Sequence, residues 1–175
     1  MRIELNSIRD EPVREIDGFR FLSWDSSLLE NHAEAKYRSF CNELDSHVFP
    51  CLGKMEGCVK LMNEISCRSG FIPEATWLVC YGTDFHSSSD NCGTVQGIRE
   101  GNKVGSIQNL GIVPEHRGSG VGSELLRRSL IGFKQVGIES VSLEVTAQNR
   151  SALKLYERTG FEVVEVVYKH ADLAY

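Results

Sequence analysis

Residues 109–123 read Asn-Leu-Gly-Ile-Val-Pro-Glu-His-Arg-Gly-Ser-Gly-Val-Gly-Ser, and the fold is organised around this stretch. The run 104–113 is rich in β-branched and aliphatic residues, which favours a strand, and Pro114 prevents the strand ladder from continuing. Glycines 118, 120 and 122 then precede an apolar pattern with helical spacing. Alternate glycines let backbone N–H groups turn inward around an anion, and a helix start adds unpaired N–H groups and the positive end of its dipole. The stretch therefore predicts a strand, a pyrophosphate-binding turn and a helix.

Two common phosphate-binding motifs fit this stretch poorly. A P-loop requires Gly-Lys followed by Ser or Thr, whereas Gly122 is followed by Ser123 and Glu124. A dinucleotide-binding fingerprint requires a different spacing of its third glycine, although Glu139 or Glu144 could serve as its acidic residue. The spacing disfavours this second motif, and the missing lysine excludes the first.

Residues on both sides of the glycines resemble a known family. Arg117-x-x-Gly120-x-Gly122 follows an apolar strand, and further matches come downstream, at Leu143-Glu144-Val145, Asn149, Ala152, Leu155-Tyr156 and Gly160-Phe161. At these positions the sequence resembles the GNAT superfamily of acyl-CoA-dependent N-acyltransferases, specifically over residues 104–164. Residues 143–161 are most similar to bacterial enzymes that acetylate the N-terminal alanine of a ribosomal protein. The same spacing recurs across the superfamily, so it does not fix the substrate.

The bulk properties are those of an ordinary globular domain. The chain has 175 residues, of which 41% are hydrophobic and 25% charged, with a formal net charge of −5. An acidic chain is not expected to have nucleic acid or an anionic membrane as its main partner. The first residues lack an apolar core of the length typical of a signal peptide, and no later run is long enough to span a bilayer, so we expect a cytoplasmic protein. The six cysteines form no Cys-x-x-Cys pair, so no metal site is predicted.

The patterning predicts alternating strands and helices in the order βααβββαβαβ. We expect a first strand over residues 18–24, and then a helix that Ser27-x-x-Glu30 opens as a capping box and that ends before Pro50. A second helix is expected over 56–70, and the runs 75–81, 93–98 and 104–113 should form an antiparallel meander. The helix after the glycines should bury Val121, Leu125, Leu126, Leu130 and Phe133. The remaining elements are expected at 141–145 (strand), 149–159 (helix) and 161–168 (strand).

This order matches the fold that the resemblance implies. We therefore expect an α/β (α+β) protein with one N-acetyltransferase domain over residues 1–175. Its central sheet should be mixed and mostly antiparallel, flanked by helices, with two strands splayed apart at the cofactor site. The family usually carries one more strand at the end, for which only residues 171–175 remain.

The predicted cofactor-binding residues lie in the turn and in the strand before it. Backbone N–H groups should hold the pyrophosphate over residues 118–123, namely Gly118, Ser119, Gly120, Val121, Gly122 and Ser123. Arg117 could add charge or be a surface arginine. The resemblance implies a bulge around Leu110, Gly111 and Ile112 that frees an N–H group for the thioester carbonyl, and Gly111 and Pro114 are compatible with such a bulge.

Three further residues are candidates for chemistry. Glu144 lies on the polar side of its strand and could take a proton from an ammonium, or could be a solvated glutamate. Asn149 and Tyr156 are seven residues apart, about 700° of helix, and so lie within roughly 20° of one face. The resemblance implies that Asn149 binds pantetheine and that Tyr156 protonates the leaving thiolate. Their alternatives are an N-cap residue and a core aromatic.

The resemblance implies acetyl-CoA as the co-substrate and a primary amine as the acceptor. We expect a small-molecule or peptide amine rather than the ribosomal protein, because the extra length before the first helix and the weak match over residues 71–91 indicate a pocket different from that of those enzymes. The alternative function is an acyl-CoA-binding sensor or interaction module of the same fold without turnover. The sequence leaves open whether the chain forms a homodimer.

Overall fold

The computed structural model describes residues 1–7, 12–82 and 90–168. It contains six strands, which are β1 (Arg2–Glu4), β2 (Phe19–Ser23), β3 (Phe71–Tyr81), β4 (Asp90–Arg99), β5 (Val104–Ile112) and β6 (Ser140–Ser142). The helices are α1 (Leu29–Phe40), α2 (Leu44–Val48), α3 (Met55–Ser66), α4 (Val121–Gln135) and α5 (Arg150–Thr159). Most of the polar loop that we expected at 82–91 lies outside the described residues, and its last two residues belong to β4.

The six strands form one sheet in the order β1-β6-β5-β4-β3-β2. The pair β5–β6 is parallel, because α4 forms the crossover between these strands, and every other neighbouring pair is antiparallel. The predicted meander is confirmed as β3, β4 and β5. The predicted class is confirmed as well: the sheet is mixed and mostly antiparallel, and helices flank it.

Helices cover both faces of the sheet. The α4 side chains that we expected to be buried, Val121, Leu125, Leu126, Leu130 and Phe133, all belong to the main core. At Gly132 of α4 a Cβ atom would lie 1.9 Å from the carbonyl oxygen of Glu74, so α4 approaches the chain of β3 directly. Val95 of β4 points into this core. The hydroxyl of its neighbour Thr94 is hydrogen-bonded to Nδ1 of His32 in α1 at 2.7 Å, so α1 lies on the opposite face of the sheet.

The beginning and the end of the first helix were predicted incorrectly. Asp25 rather than Ser27 is the capping residue: its Oδ1 accepts hydrogen bonds from the Ser27 N–H at 2.8 Å and from the Ser27 hydroxyl at 2.5 Å. These bonds hold a short 3-10 turn, and α1 begins only at Leu29. The helix ends at Phe40, because Glu43 has an extended backbone and starts the separate helix α2.

The last two predicted strands also differ from the structure. The strand expected over 141–145 is only Ser140–Ser142, and beyond it the Leu143 N–H donates to the Met1 carbonyl. The strand expected over 161–168 is reduced to one bridge between Arg2 and Glu162. The reason is that β1 pairs with the free edge of β6, with Ile3 opposite Val141. Val163, Val164, Val166, Val167 and Tyr168 are consequently exposed.

Candidate active site

The glycine turn has the backbone geometry that the sequence predicts. Gly118 and Gly120 have φ values of +80° and +86°, in the left-handed region, and Gly120 is the N-cap residue of α4. Both glycines and Ser119 between them are exposed. The first backbone N–H groups of a helix have no partner within the helix, so the turn and the first residues of α4 together offer a row of donors. This arrangement suits a phosphate group.

Arg117 does not point its charge freely into solvent beside this turn. Its Nε donates to the Ile112 carbonyl at 3.0 Å, one Nη donates to Glu43 at 2.6 Å, and the other donates to the Ser39 carbonyl at 3.0 Å. The guanidinium therefore ties the glycine turn to the C-terminal end of α1 and to the residues before α2. The sequence did not predict these contacts, because Glu43 and Ser39 lie 74 and 78 residues away from Arg117.

The end of β5 carries a bulge next to the turn. Thr94 pairs with Gly111 and Gln96 with Gln108, so Asn109 and Leu110 stand opposite the single residue Val95. Asn109 has a φ of +52°. Gly111 is needed here for a different reason: a Cβ atom would lie 2.7 Å from side-chain atoms of both Ser39 and Phe40, because α1 crosses the strand at this point.

The strands β5 and β6 separate beside the bulge. Their ladder ends where Ser106 pairs with Ser142, while β5 continues to Ile112 paired only with β4. The chain after Ser142 instead follows β1. An opening therefore runs between the end of β5 and the segment that leads from β6 to α5. The end of β5 borders the glycine turn, because a Cβ atom on Gly122 would lie 3.4 Å from the Ile112 side chain and 3.8 Å from Leu155 of α5.

Helix α5 follows this segment and carries Asn149 at its N-terminal cap and Tyr156 among its buried residues. The Oδ1 of Asn149 accepts hydrogen bonds from the Ala152 N–H and the Ser151 hydroxyl, both at 3.1 Å, so Asn149 is an N-cap residue whose amide nitrogen has no partner among the described residues. Tyr156 is 6% exposed and packs edge-on against Phe161 with ring centres 5.8 Å apart. Burial raises the pKa of the Tyr156 phenol well above its ordinary value, and the negative charge of Asp45 raises it further.

Glu144 lies close enough to the N-terminus of the chain to act on its charge. Its side chain is exposed just beyond β6, while its neighbours Leu143 and Val145 pack into the main core. Its charge acts on the α-ammonium of Met1, whose pKa is lowered by burial and raised to a smaller extent by this carboxylate. The Met1 ammonium itself donates to the Leu143 carbonyl at 2.8 Å.

A cleft of about 210 Å³ lies between the α1–α2 connection and the start of α5. One side of it is formed by Glu43, Leu44 and Asp45, and the other by Thr146 and residues 148–151. The Thr146 hydroxyl donates to Asp45 Oδ1 at 2.8 Å and so links the two sides. The sequence did not indicate Asp45, because it falls in a segment that we expected to be the polar end of one long helix.

A second group of residues that we did not predict anchors the glycine turn. His116 is hydrogen-bonded through Nε2 to Asp90 Oδ2 at 3.0 Å and lies against the rings of Phe19 and Tyr81. Asp90 is also paired with Arg38 of α1, which holds the pKa of that carboxyl below its ordinary value. The first residues after β5 are thereby fixed to β4 and α1, and the turn starts from a defined position.

The described residues contain neither a grouped set of metal ligands nor a membrane-spanning helix. Within 1–7, 12–82 and 90–168, no three His, Cys, Asp or Glu side chains are grouped closely enough to hold a metal ion. The helices of this part of the chain are all too short or too polar to cross a membrane.

Known proteins share this sequence pattern and fold. Residues 69–161, more than half of the chain, match the acetyltransferase (GNAT) family. The mycothiol acetyltransferase of Propionibacterium freudenreichii is 33% identical over 82 residues, which are 43% of this chain and 26% of that protein. The chain thus matches about a quarter of that relative's length.

Solved structures agree with this assignment at the level of the fold. A GCN5-related N-acetyltransferase from Sphaerobacter thermophilus superimposes with a TM-score of 0.63 and 23% identity, covering 91% of this chain and 45% of that one. The ribosomal-protein-S18-alanine N-acetyltransferase from Escherichia coli gives a TM-score of 0.60 and 16% identity, covering 82% and 77%. The sequence match and the fold lead to one conclusion: the chain belongs to the acetyltransferase (GNAT) family.

Proposed function

We propose that the protein transfers an acetyl group from acetyl-CoA to a primary amine. The observation that carries this proposal is that the glycine turn lies directly against the bulged end of β5 and against α5, the helix that carries the buried phenol. The turn can hold a pyrophosphate, and the opening can admit the pantetheine arm and expose backbone N–H groups of β5 to a carbonyl oxygen. A preorganised donor of this kind contributes roughly 3–4 kcal/mol to an acyl transfer.

In this proposal acetyl-CoA is bound mainly by backbone N–H groups. The N–H groups of residues 118–123 bind the pyrophosphate, and those of Leu110, Gly111 and Ile112 face the pantetheine and the acyl group. The Asn149 amide nitrogen is available to pantetheine, because the oxygen of the same side chain is used to cap α5. The hydrogen bonds of Arg117 support an indirect role, in which this residue fixes the turn and contributes its charge only at short distance.

The reaction needs one proton removed and one supplied. Acetyl-CoA brings an activated carbonyl and a thiolate leaving group. Glu144 takes a proton from the acceptor ammonium, the free amine forms the C–N bond as the C–S bond breaks, and the phenol of Tyr156 gives its proton to the departing sulfur. The surplus proton on the new amide nitrogen leaves to solvent. The phenol of Tyr156 is protonated in the neutral pH range, as this role requires, but burial raises its pKa and so makes it a weaker acid than an exposed tyrosine.

Binding of acetyl-CoA can be tested without knowing the acceptor. We expect acetyl-CoA to raise the melting temperature, and NAD and ATP at the same concentration to leave it unchanged. Gly120→Leu should abolish the shift, because a side chain on the turn occupies the phosphate position. Gly137→Leu is the matched control: Gly137 follows the other end of α4, also has a left-handed φ, and also has open space around a Cβ atom. Shifts from the nucleotides but not from acetyl-CoA contradict the proposal.

The role of Glu144 has a pH signature. An N-terminal amine has a pKa of about 8 and a lysine about 10.4, so most of either acceptor is protonated at pH 7. We expect Glu144→Gln to lower the rate most where the acceptor is protonated, and progressively less as it becomes neutral. A deficit of constant size across this range, measured by thiol release, would remove Glu144 from the role of base.

The acceptor is proposed to be a small-molecule or peptide amine. Mass spectrometry of products from a panel of primary amines identifies the class. Tight acetyl-CoA binding with no thiol release across a broad panel would instead support a sensor without turnover.

A further inference from the structure

The cleft beside α5 contains one carboxylate whose charge is not matched by an ion pair. Glu43 at the edge of the cleft is paired with Arg117 at 2.6 Å. Asp45, in contrast, has a neutral hydroxyl as its side-chain partner, that of Thr146. Within the described ranges Asp45 forms no salt bridge, and Arg150, which also lines the cleft, is not within ion-pair distance of it. A negative charge with only a hydroxyl partner favours an additional cation.

The proposed acid, Tyr156, lies within reach of this charge. Its hydroxyl has no hydrogen-bond partner in the described part of the chain, although more than nine tenths of the side chain is buried. The charge of Asp45 acts on the phenol through the protein. Asp45 also lines the same cleft as Asn149, the residue that caps the helix carrying Tyr156, so the cleft borders the part of the site to which we assign the leaving sulfur. The nucleophilic nitrogen must also approach this position.

The connection between the two walls of the cleft can open without a large penalty. The Thr146 hydroxyl and the Asp45 carboxylate are joined by one hydrogen bond, and the cleft around them is open to solvent with a volume of about 210 Å³. A carboxylate accepts several hydrogen bonds, so an ammonium can bind Asp45 either beside the Thr146 hydroxyl or in its place. The volume is sufficient for the end of an alkylamine or for a peptide N-terminus.

We propose that Asp45 binds the ammonium group of the acceptor in this cleft, which makes it the residue that selects cationic amines. The inference rests on the proposed function for the identity of the acceptor, but the binding of a cation at Asp45 can be measured without turnover. Asp45 would hold the charged amine beside the phenol, and Glu144 would remain the residue proposed to remove its proton.

The experiment measures amine binding to the full chain saturated with CoA, by isothermal titration at pH 7. The probes are 1,4-diaminobutane, glycinamide and trialanine amide, with 1,4-butanediol as a neutral comparison. We expect wild type to bind at least one cation and not the diol, and Asp45→Asn to weaken that binding roughly 10- to 100-fold, as expected for loss of a charge-assisted hydrogen bond. Asp45→Glu should recover part of the affinity.

Two further variants separate recognition from structure and from bulk charge. Thr146→Val removes the hydrogen bond between the walls but keeps the carboxylate, so amine binding should stay within about threefold of wild type. Glu157→Gln removes one negative charge from the exposed side of α5 and should have no effect. All variants should retain the wild-type affinity for CoA. Equal losses in Asp45→Asn and Thr146→Val would assign Asp45 to a structural role and overturn the inference.

The outcome also distinguishes this inference from the proposed function. Turnover by wild type together with unchanged amine binding in Asp45→Asn would overturn the role of Asp45 and leave the acetyltransferase proposal intact. Asp45-dependent amine binding without thiol release would support the role of Asp45 and contradict the acetyltransferase proposal. Failure of wild type to bind any of the three cations would overturn the role of Asp45.

Discussion

Tyr156→Phe is expected to lower acetyl transfer by about 10²- to 10⁴-fold while the affinity for acetyl-CoA stays nearly unchanged. The substitution removes one oxygen atom. The ring keeps its contact with Phe161 in the core, so the helix should not shift. The phenol has no hydrogen-bond partner among the described residues, and its loss leaves no buried group unpaired. A loss of rate would therefore report the proton and not the packing.

The measurement is steady-state thiol release with the best amine of the panel, together with the acetyl-CoA dissociation constant and the melting temperature. Tyr168→Phe is the control, because it makes the same chemical change at a side chain that is 95% exposed. Turnover equal to wild type in Tyr156→Phe would assign Tyr156 to the core alone. A fall of equal size in both variants would point to a defect unrelated to the site.

The parts of the site that depend on local sequence could be predicted. A strand, a proline, glycines with left-handed backbones and a helix follow one another within residues 104–135, and each feature restricts its neighbours directly. The cap of α5 by Asn149 and its end at Gly160, with a φ of +103°, are local in the same way. The face of α4 that packs on the sheet follows from its helical spacing.

The end of the sheet could not be predicted, because it depends on the two ends of the chain. Residues 161–168 have a strand-like composition, yet the edge of β6 is occupied by β1, some 138 residues away in sequence. Strand pairing is decided by which segment reaches the edge, and composition does not contain that information. The same applies to Arg117, whose charge looked available for the cofactor and is bound by Glu43 and the end of α1.

Asp45 and His116 were missed for a related reason. Each becomes a candidate only through partners that are distant in sequence: Thr146 lies 101 residues from Asp45, and Asp90 lies 26 residues from His116. A carboxylate in a polar helix end and a histidine in a turn are both ordinary surface residues when considered alone. Their places, Asp45 in the cleft and His116 on Asp90 of β4, appear only after the sheet has formed.

Lys36 is the buried charge with the largest expected effect on stability. It lies on α1 with 0% exposure, and the one hydrogen bond of its Nζ is a weak contact of 3.9 Å with the Met62 sulfur. Burial lowers the pKa of Lys36 to about 8, against smaller opposing effects of the Cys58 and Cys51 thiols. Burial, together with a smaller effect of the Lys36 charge, likewise lowers the pKa of His32, one turn earlier, to about 3.

The sign of the pH dependence follows from this lowered pKa. An unfolded lysine has a pKa near 10.5, so between pH 8 and pH 10.5 the unfolded chain binds more protons than the folded protein. The free energy of unfolding should therefore rise with pH through this window. Below pH 8 the full cost of the buried ammonium applies, which the difference of the two pKa values puts at about 3 kcal/mol. Above pH 10.5 the lysine is neutral in both states and the cost disappears.

Lys36→Met should therefore stabilise the protein at pH 7 by up to about 3 kcal/mol, because a side chain of similar length replaces a buried charge. For a chain of this size the melting temperature should rise by roughly 6–12 °C. Denaturant unfolding at pH 7 and pH 10 should show the gain shrinking at the higher pH. Lys60→Met is the matched control: its side chain is 79% exposed on α3, and the change should leave the free energy of unfolding nearly unaltered at both pH values. A loss of stability in Lys36→Met would mean that interactions with the ammonium are strong enough to offset its burial. A gain in stability that does not depend on pH would show that better packing is the cause, and not removal of the charge.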